Sequence, residues 1–467
     1  MFFEIKDSEK KAIISSNGNE LTYSELKKAV EEVKEHLASR KLAFCLCENS
    51  PASVVGYLAC LNNKTVPLLI DKKIDNELLS HLLSVYKPNF VYAPKEIADK
   101  FSDYENEFDF MNYALLKAKE DLDIEMADDL ALLLTTSGST GSPKLVRQSY
   151  RNIQSNAEAI KEYLKLNEDE RPITTLPMNY TYGLSIINSH LEAGATILMT
   201  DESMGMKAFW TFFKDNEATS FGGVPFTYEM LKKIRFFKMK LDSLRYMTQA
   251  GGKLSPELHK EFAKWCEENG KEFIVMYGQT EATARMGYLE GAKSLEKYGS
   301  MGKPIPGGKF KLIDVNENEI TEPETVGELV YIGDNVTLGY AEKREDLAKG
   351  DERGGVLVTG DMAKFDEDGY YYIVGRKKRF LKIFGNRVNL DEIDRLIKTN
   401  FEDLDCASTG VDDHMKTYIT KEESIAEVRQ WLAQTTHLSE TAFEVFFIEE
   451  IPKNESGKVL YKELPVD

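Results

Sequence analysis

Residues 132–149 read LLLTTSGSTGSPKLVRQS: an apolar run, then a loop of small and hydroxylated residues closed by a lysine. Free backbone N–H groups, hydroxyls and one positive charge together suit the oxygens of a phosphate. Thr136, Ser137, Ser139 and Thr140 supply donors, Gly138 and Gly141 allow close approach of backbone to ligand, and Lys144 adds charge. The spacing is not that of Walker A, because Lys144 follows Pro143 and precedes Leu145. It is not G-x-G-x-x-G either. A serine hydrolase is excluded by its histidine supply. His36, His81, His190, His259, His414 and His437 are all there are, and none adjoins a G-x-S-x-G nucleophile motif.

Such a loop needs rigid neighbours. It is expected to run from a buried strand into a helix whose apolar face is marked by Ile153, Ala157, Ile160 and Leu164. Upstream, Thr22 and Glu25 have capping-box spacing ahead of a helix. LAFCLC (42–47) reads as a buried strand, SPASVVGYLACLN (50–62) as a helix with Pro51 in its first turn, and TVPLLI (65–70) as a strand. Downstream, ATILMT, LRYMTQ and EFIVMY are strands separated by helices, one over 256–269. The repeated β-α-β order implies an α/β fold of two doubly wound parallel sheets. Near residue 299 short strands between turns take over, as in KFKLID, GELVYIG and GYYYIVG, and predict a β subdomain. The basic run GRKKRFLK (375–382) is the candidate linker to a short α+β segment, with Lys377 and Arg379 expected as solvated charges.

Length and composition bound the answer. The 467 residues suggest two to four domains, at roughly 100–200 residues each. With 78 acidic and 59 basic residues the net charge is -19, which argues against non-specific nucleic-acid or anionic-membrane binding. The cysteines, Cys45, Cys47, Cys60, Cys266 and Cys406, are odd in number and lack C-x2-C spacing, so reduced structural thiols in a cytoplasmic protein are expected. MFFEIKDSEKK lacks a signal-peptide core, and no run approaches 18 apolar residues, so no membrane span is expected.

The loop resembles the phosphate-binding loop of the adenylate-forming superfamily: acyl-CoA synthetases, peptide-synthetase adenylation domains and luciferases. Further motifs follow in that family's order, from about Leu21 to the end. They are LPMNYTYGLS (176–185), AGGKLSPEL (250–258), YGQTEAT (277–283), GSMGKPIPG (299–307), GELVYIGDNVTLGY (327–340), TGDMAKFDEDGYYYIVGRKK (359–378), GNRVNLDEID (385–394) and IPKNESGKVLYKEL (451–464). The resemblance implies a large N-terminal lobe over 1–376 and a small mobile α+β lobe over 377–467. It implies activation of a carboxylic acid by ATP to an acyl-adenylate, then transfer to a pantetheine thiol.

By the same resemblance Thr136–Gly141 and Lys144 grip the β- and γ-phosphates. Tyr277 and Gly278, with Gly251, Gly252 and Lys253, line adenine, and Thr280 bonds the α-phosphate. Glu281 holds Mg²⁺, as a hard cation wants carboxylate and phosphate oxygens together. Asp361 accepts from the ribose hydroxyls and Arg376 pairs with ribose or phosphate. Lys458 touches the carboxylate and α-phosphate oxygens during attack. Lys378 is the implied hinge, with Lys382 and Gly385 on the thiol side.

Three features depart from the family's usual pattern: Leu145 where glycine is common, Tyr150 and Tyr180 where histidine is common, and a short stretch at 407–420. The implied acyl pocket comprises Tyr180, Tyr182, Gly183, Phe221, Gly222, Gly223, Gly278 and Met286. The helix after the substrate motif opens with no carboxylate to hold an α-ammonium, so the expected substrate is an acid without an α-amino group, apolar or aromatic in its acyl part. CoA is the expected acceptor. A separate carrier protein is the alternative, disfavoured by the net negative charge and with no carrier segment following the lysine motif. A nucleotide-binding protein without catalysis is disfavoured because Lys144, Thr280, Glu281, Asp361, Arg376 and Lys458 are all present.

Overall fold

A computed structural model describes residues 1–120, 122–135, 144–383, 386–401, 403–436, 438–454 and 457–465. The chain divides into two compact units. One comprises Met1–Lys309 and Ile332–Leu357, the other Phe310–Tyr331 and Val358–Asp467.

The first unit is built on two large sheets. In the eight-stranded sheet, Leu42–Cys47 lies between Val66–Asp71 and Phe90–Pro94, and Leu130–Thr135 runs parallel to Val66–Asp71. All six residues of Leu42–Cys47 are buried, because both faces are covered. Ala43, Cys45 and Cys47 pack with helices Tyr23–Lys34 and Pro51–Asn63, while Leu42, Phe44 and Leu46 pack with helix Asn76–Tyr86. Thr22 and Glu25 close the expected capping box, and Ser50 caps the Pro51 helix. The five cysteines are free and buried.

One expectation fails at the loop. Leu130–Thr135 and Leu145–Ser149 are antiparallel neighbours, with Thr135 opposite Leu145. Residues 136–143 therefore join two strands of a hairpin, and helix Tyr150–Tyr163 begins one strand later. The missed strand hides its polar residues: Arg147 and Gln148 are buried, with the Arg147 guanidinium 2.5 Å from Glu352.

The second large sheet places Ser220–Gly223, Tyr246–Gln249 and Glu272–Tyr277 in parallel, then adds Gly287–Leu289 and Lys303–Pro304 antiparallel. Both sheets are thus mixed, with parallel cores and antiparallel edges, because short connections such as 278–286 can join only antiparallel strands.

The second unit contains a five-stranded sheet ordered Glu319–Ile320, Lys309–Ile313, Gly327–Ile332, Val356–Phe365, Tyr371–Arg376. It continues through the hairpin Phe380–Ile383 and Asn386–Asn389 to helix Leu390–Asn400. The short stretch at 407–420 forms the hairpin Cys406–Val411 and His414–Ile419, which Phe443–Phe447 extends. Helix Ile425–Thr436 packs on it through Val428 and Leu432. No helix of the described residues is long and apolar enough to cross a membrane.

Candidate active site

Strand Glu272–Tyr277 leads into Gly-Gln-Thr-Glu, where Thr280–Ala282 forms one short helical turn. The chain reverses through two left-handed residues, Thr283 (φ 52°) and Ala284 (φ 96°), and returns as Gly287–Leu289. Such angles on non-glycine residues cost on the order of 1–3 kcal/mol each and persist only where neighbours enforce them. Gly278 makes the room: a Cβ there would stand 1.5 Å from the Ala284 carbonyl oxygen. Asn335 clamps the turn from outside. Its Nδ2 donates to the carbonyls of Ala282 (2.8 Å) and Arg285 (3.0 Å), and its own carbonyl accepts from Thr283 Oγ1 at 2.8 Å.

This turn fixes Glu281. Its carbonyl accepts from Thr337 N (3.0 Å), Thr337 Oγ1 (2.9 Å) and Arg353 Nη1 (3.0 Å). Its carboxylate Oε1 accepts from the Tyr340 hydroxyl at 2.7 Å. Burial, with the Glu281 charge second, pushes the Tyr340 phenol up to about 12, so it stays a donor. Arg353 lies 4.7 Å from the Tyr340 ring centroid, and Lys144 Nζ 5.7 Å from the same ring. Tyr340 reaches this place because Gly339–Ala341 pairs with Leu145–Ser149, Tyr340 opposite Val146. Lys144 meanwhile pairs with Glu342 at 2.6 Å, both half exposed. A pair so exposed is worth little and can be exchanged for a phosphate oxygen. The end of the loop, Glu281 and Tyr340 thus come together, and sequence reasoning supplied the first two only.

The donor set fits a hard cation. Among the described residues no group of three or more His, Cys, Asp or Glu side chains could hold a metal by itself. A cation at Glu281 would therefore share that carboxylate with phosphate oxygens, which suits Mg²⁺. Thr136, Ser137, Gly138, Ser139, Thr140 and Gly141 lie outside the described residues.

In the turn expected to line adenine, Gly251 has φ 81° and a Cβ on it would meet Tyr180 Oη at 2.7 Å, so this turn and the 176–185 motif touch. Gln249 Nε2 donates to the Gly252 carbonyl at 2.9 Å. Lys253 is exposed, and Tyr277 is half-buried with its hydroxyl 3.2 Å from Gln279 Nε2.

The substrate-motif helix, Thr181–Ala193, follows Tyr180 directly. Tyr182 is buried and its hydroxyl lies 2.8 Å from Thr248 Oγ1. Gly222 faces it: a Cβ there would meet Tyr182 Oη at 2.9 Å. Gly183 packs on the Pro177 carbonyl, Gly223 on Thr227, and Met286 is buried beside Tyr277 through its N–H. Phe221 is not brought to this face. Strand neighbours alternate sides, and Phe221 packs among Trp210, Phe213 and Phe236.

In the second unit, Asp361 and Arg376 are opposite one another on adjacent strands, their side chains 2.7 Å apart. Asp361 is buried and Arg376 half exposed. Lys378 occupies the turn Lys377–Arg379 between two strands. Lys382 is exposed, its N–H donating to Asp412 at 2.7 Å, and Gly385 lies outside the described residues. Lys458 follows Gly457 (φ 78°) in a turn where its N–H and carbonyl both bond Asn454, at 2.9 Å each. Lys377 is exposed as expected, whereas the expected solvation of Arg379 is corrected. Lys377 pairs with Glu328 at 2.6 Å. Arg379 is gripped by Asp391 (2.9 Å) and Asp394 (2.8 Å), with its guanidinium 3.9 Å from the Tyr461 ring. Its carboxylate partners sit a helical turn apart on Leu390–Asn400, a pairing that the basic run alone does not disclose.

The family model described as AMP-binding enzyme matches residues 5–341. The peroxisomal OPC-8:0-CoA ligase 1 of Arabidopsis thaliana is 28% identical, over 97% of this chain and 89% of its own. The 2-succinylbenzoate–CoA ligase of Geobacillus sp. (strain WCH70) is 26% identical, over 98% and 94%. Among solved structures, the O-succinylbenzoate coenzyme A synthetase of Bacillus subtilis with AMP aligns at TM-score 0.79 and 21% identity, covering 98% of this chain and 96% of the other. The same protein with ATP and magnesium ion aligns at 0.79 and 22%, over the same shares. The chain belongs to the AMP-binding enzyme family, the adenylate-forming enzymes whose motifs it carries in order.

Proposed function

We propose that this protein is an AMP-forming acyl-CoA synthetase. A carboxylate oxygen attacks the α-phosphorus of ATP, the bond to the bridging oxygen breaks, and pyrophosphate leaves an acyl-adenylate. The CoA thiol, giving up its proton, then attacks the acyl carbonyl carbon and AMP departs. The observation that carries this reading is the meeting of Lys144, Glu281 and Tyr340 at the end of the hairpin loop. Transfer at phosphorus needs positioning and charge stabilisation more than covalent protein chemistry.

Lys144 and the loop hold the outer phosphates, and Thr280 holds the α-phosphate. Glu281 holds Mg²⁺, which when bound offsets phosphate charge. Asp361, oriented by Arg376, accepts from the ribose hydroxyls. Lys458 supplies a positive charge to the α-phosphate and the attacking carboxylate. Lys378 is the pivot between the two half-reactions, and Lys382 and Gly385 serve the thiol side. The names of the relatives support CoA as acceptor. The test is Mg-ATP-dependent pyrophosphate release over a panel of carboxylic acids, with and without CoA. The reading expects AMP and a CoA thioester in equal amounts for at least one acid. Adenylate formation with no CoA thioester from any acid would sink it.

A further inference from the structure

Arg285 lies four residues beyond Glu281 on the same clamped turn and is 2% exposed. Its Nε donates to Ser185 Oγ at 3.1 Å, and its Nη1 to Tyr163 Oη at 3.0 Å and to Met276 Sδ at 3.2 Å. The Tyr182 ring stands 5.1 Å from its guanidinium carbon. Every one of these partners is neutral, and among the described residues no carboxylate pairs with Arg285. The other deeply buried arginine of this unit, Arg147, has Glu352 at 2.5 Å. Glu170, the buried acid near this sheet, is already taken by Arg245. A guanidinium does not shed its proton, and a buried charge is normally paired because desolvation is costly.

The surroundings of Arg285 belong to the substrate side. Tyr182 and Ser185 lie on the substrate-motif helix, and Tyr182 also faces Gly222. Tyr163 stacks on Tyr288 with centroids 4.2 Å apart, and the Tyr246 hydroxyl bonds His190 at 3.1 Å. This wall is built of aromatic rings that carry hydroxyls, with the charge of Arg285 set among them.

We propose that Arg285 receives a second carboxylate, so that the substrate is a dicarboxylic acid. One carboxylate meets the α-phosphorus and the distal one lies against Nη2 of the guanidinium, the nitrogen that the bonds to Ser185, Tyr163 and Met276 leave over. This rests on the ligase reading above. The geometry gives it economy: one rigid turn carries Glu281 on the nucleotide side and Arg285 on the acyl side, so both ends of the acid are referred to the same frame.

The test uses the full chain with Mg-ATP, CoA and pairs of acids of equal length, each pair with and without a terminal carboxylate, plus the terminal methyl ester of each diacid. Wild type should favour the diacid over both partners by at least about 10-fold in kcat/KM. Arg285→Gln and Arg285→Met should lower the diacid-to-monoacid ratio by about 30-fold or more, chiefly through KM, as loss of a buried charge partner does. A merely structural arginine would lower both acids together and leave the ratio intact, which overturns the proposal. Preference of wild type for monoacids or methyl esters also overturns it, whether or not the variants fold. Pyrophosphate release with no acid at all would instead strike down the ligase reading, and this one with it.

Discussion

Glu281 is anchored by its backbone: three donors converge on its carbonyl, while its carboxylate accepts from the Tyr340 hydroxyl. The side chain can therefore be changed without unmaking the turn. Glu281→Gln keeps the shape but removes the charge that a hard cation prefers. We expect a higher half-saturating Mg²⁺ concentration and a lower maximal rate of pyrophosphate release. A Mg²⁺ titration indistinguishable from wild type would reduce Glu281 to a structural residue. Lys458 is anchored through its own backbone, its N–H donating to Asn454 Oδ1 and its carbonyl accepting from Asn454 N–H. Lys458→Ala should leave ATP binding in place and cut hydroxamate-trapped adenylate by about 100-fold, the usual effect of deleting one oriented donor. The second half-reaction, started from supplied acyl-adenylate, should suffer much less. Adenylate formation within about threefold of wild type would remove Lys458 from the mechanism.

At the scale of elements, the turn Lys377–Arg379 is held at both ends and open in the middle. Lys377 pairs with Glu328 and Arg379 is gripped by Asp391 and Asp394, whereas Lys378 lies between them. Proline fixes φ near about -65°, which is compatible with this helical turn. Lys378→Pro should hold residue 378 near that one φ and oppose any other. If residue 378 is the pivot, adenylation should proceed near the wild-type rate while thiol transfer becomes limiting. Single-turnover assays of each step decide it, and equal slowing of both would move the pivot elsewhere. Elements whose signals are local are legible in the sequence: the Thr22–Glu25 box, the Ser50–Pro51 start and the strand Leu42–Cys47 stand where their residues indicate. Leu145–Ser149 is not legible, because Arg147 and Gln148 look solvated until Glu352 and the Thr280 carbonyl supply their partners. The same holds at the site. Glu281 is marked by its motif, but Tyr340 and Arg353 reach it only through the pairing of Gly339–Ala341 with the hairpin. Arg285 carries no local mark at all, since its meaning lies in the absence of an acid among its described spatial neighbours.

Across the whole molecule the two units carry buried titratable groups of opposite sense. In the first unit His190 and His259 are buried, and desolvation lowers them from 6.5 to about 3 and about 4. The unfolded chain then binds more protons than the native one below pH 6.5, so this unit loses stability as pH falls. Between pH 6.5 and 5 each histidine removes about 2 kcal/mol, at about 1.4 kcal/mol per pH unit. In the second unit desolvation raises Asp394 from 3.8 to about 6, and Arg379 only partly offsets it. Here the native state takes up a proton first as pH falls through 6, so this unit gains about 1 kcal/mol by pH 5. Asp405, lowered mainly against its burial by Lys398, acts only below its unfolded value of 3.8 and stays out of this window. Trp210 and Trp265 report on the first unit and Trp431 on the second. Urea titrations at pH 7 and pH 5, with far-UV signal and with each tryptophan left singly, should show the first unit's midpoint dropping while the second's holds or rises. His190→Gln with His259→Gln should flatten the first unit's pH slope, whatever it does to stability at pH 7. A first-unit midpoint that does not move between these pH values, or a slope that the double variant leaves unchanged, would show that the two imidazoles are not the neutral buried pair described here.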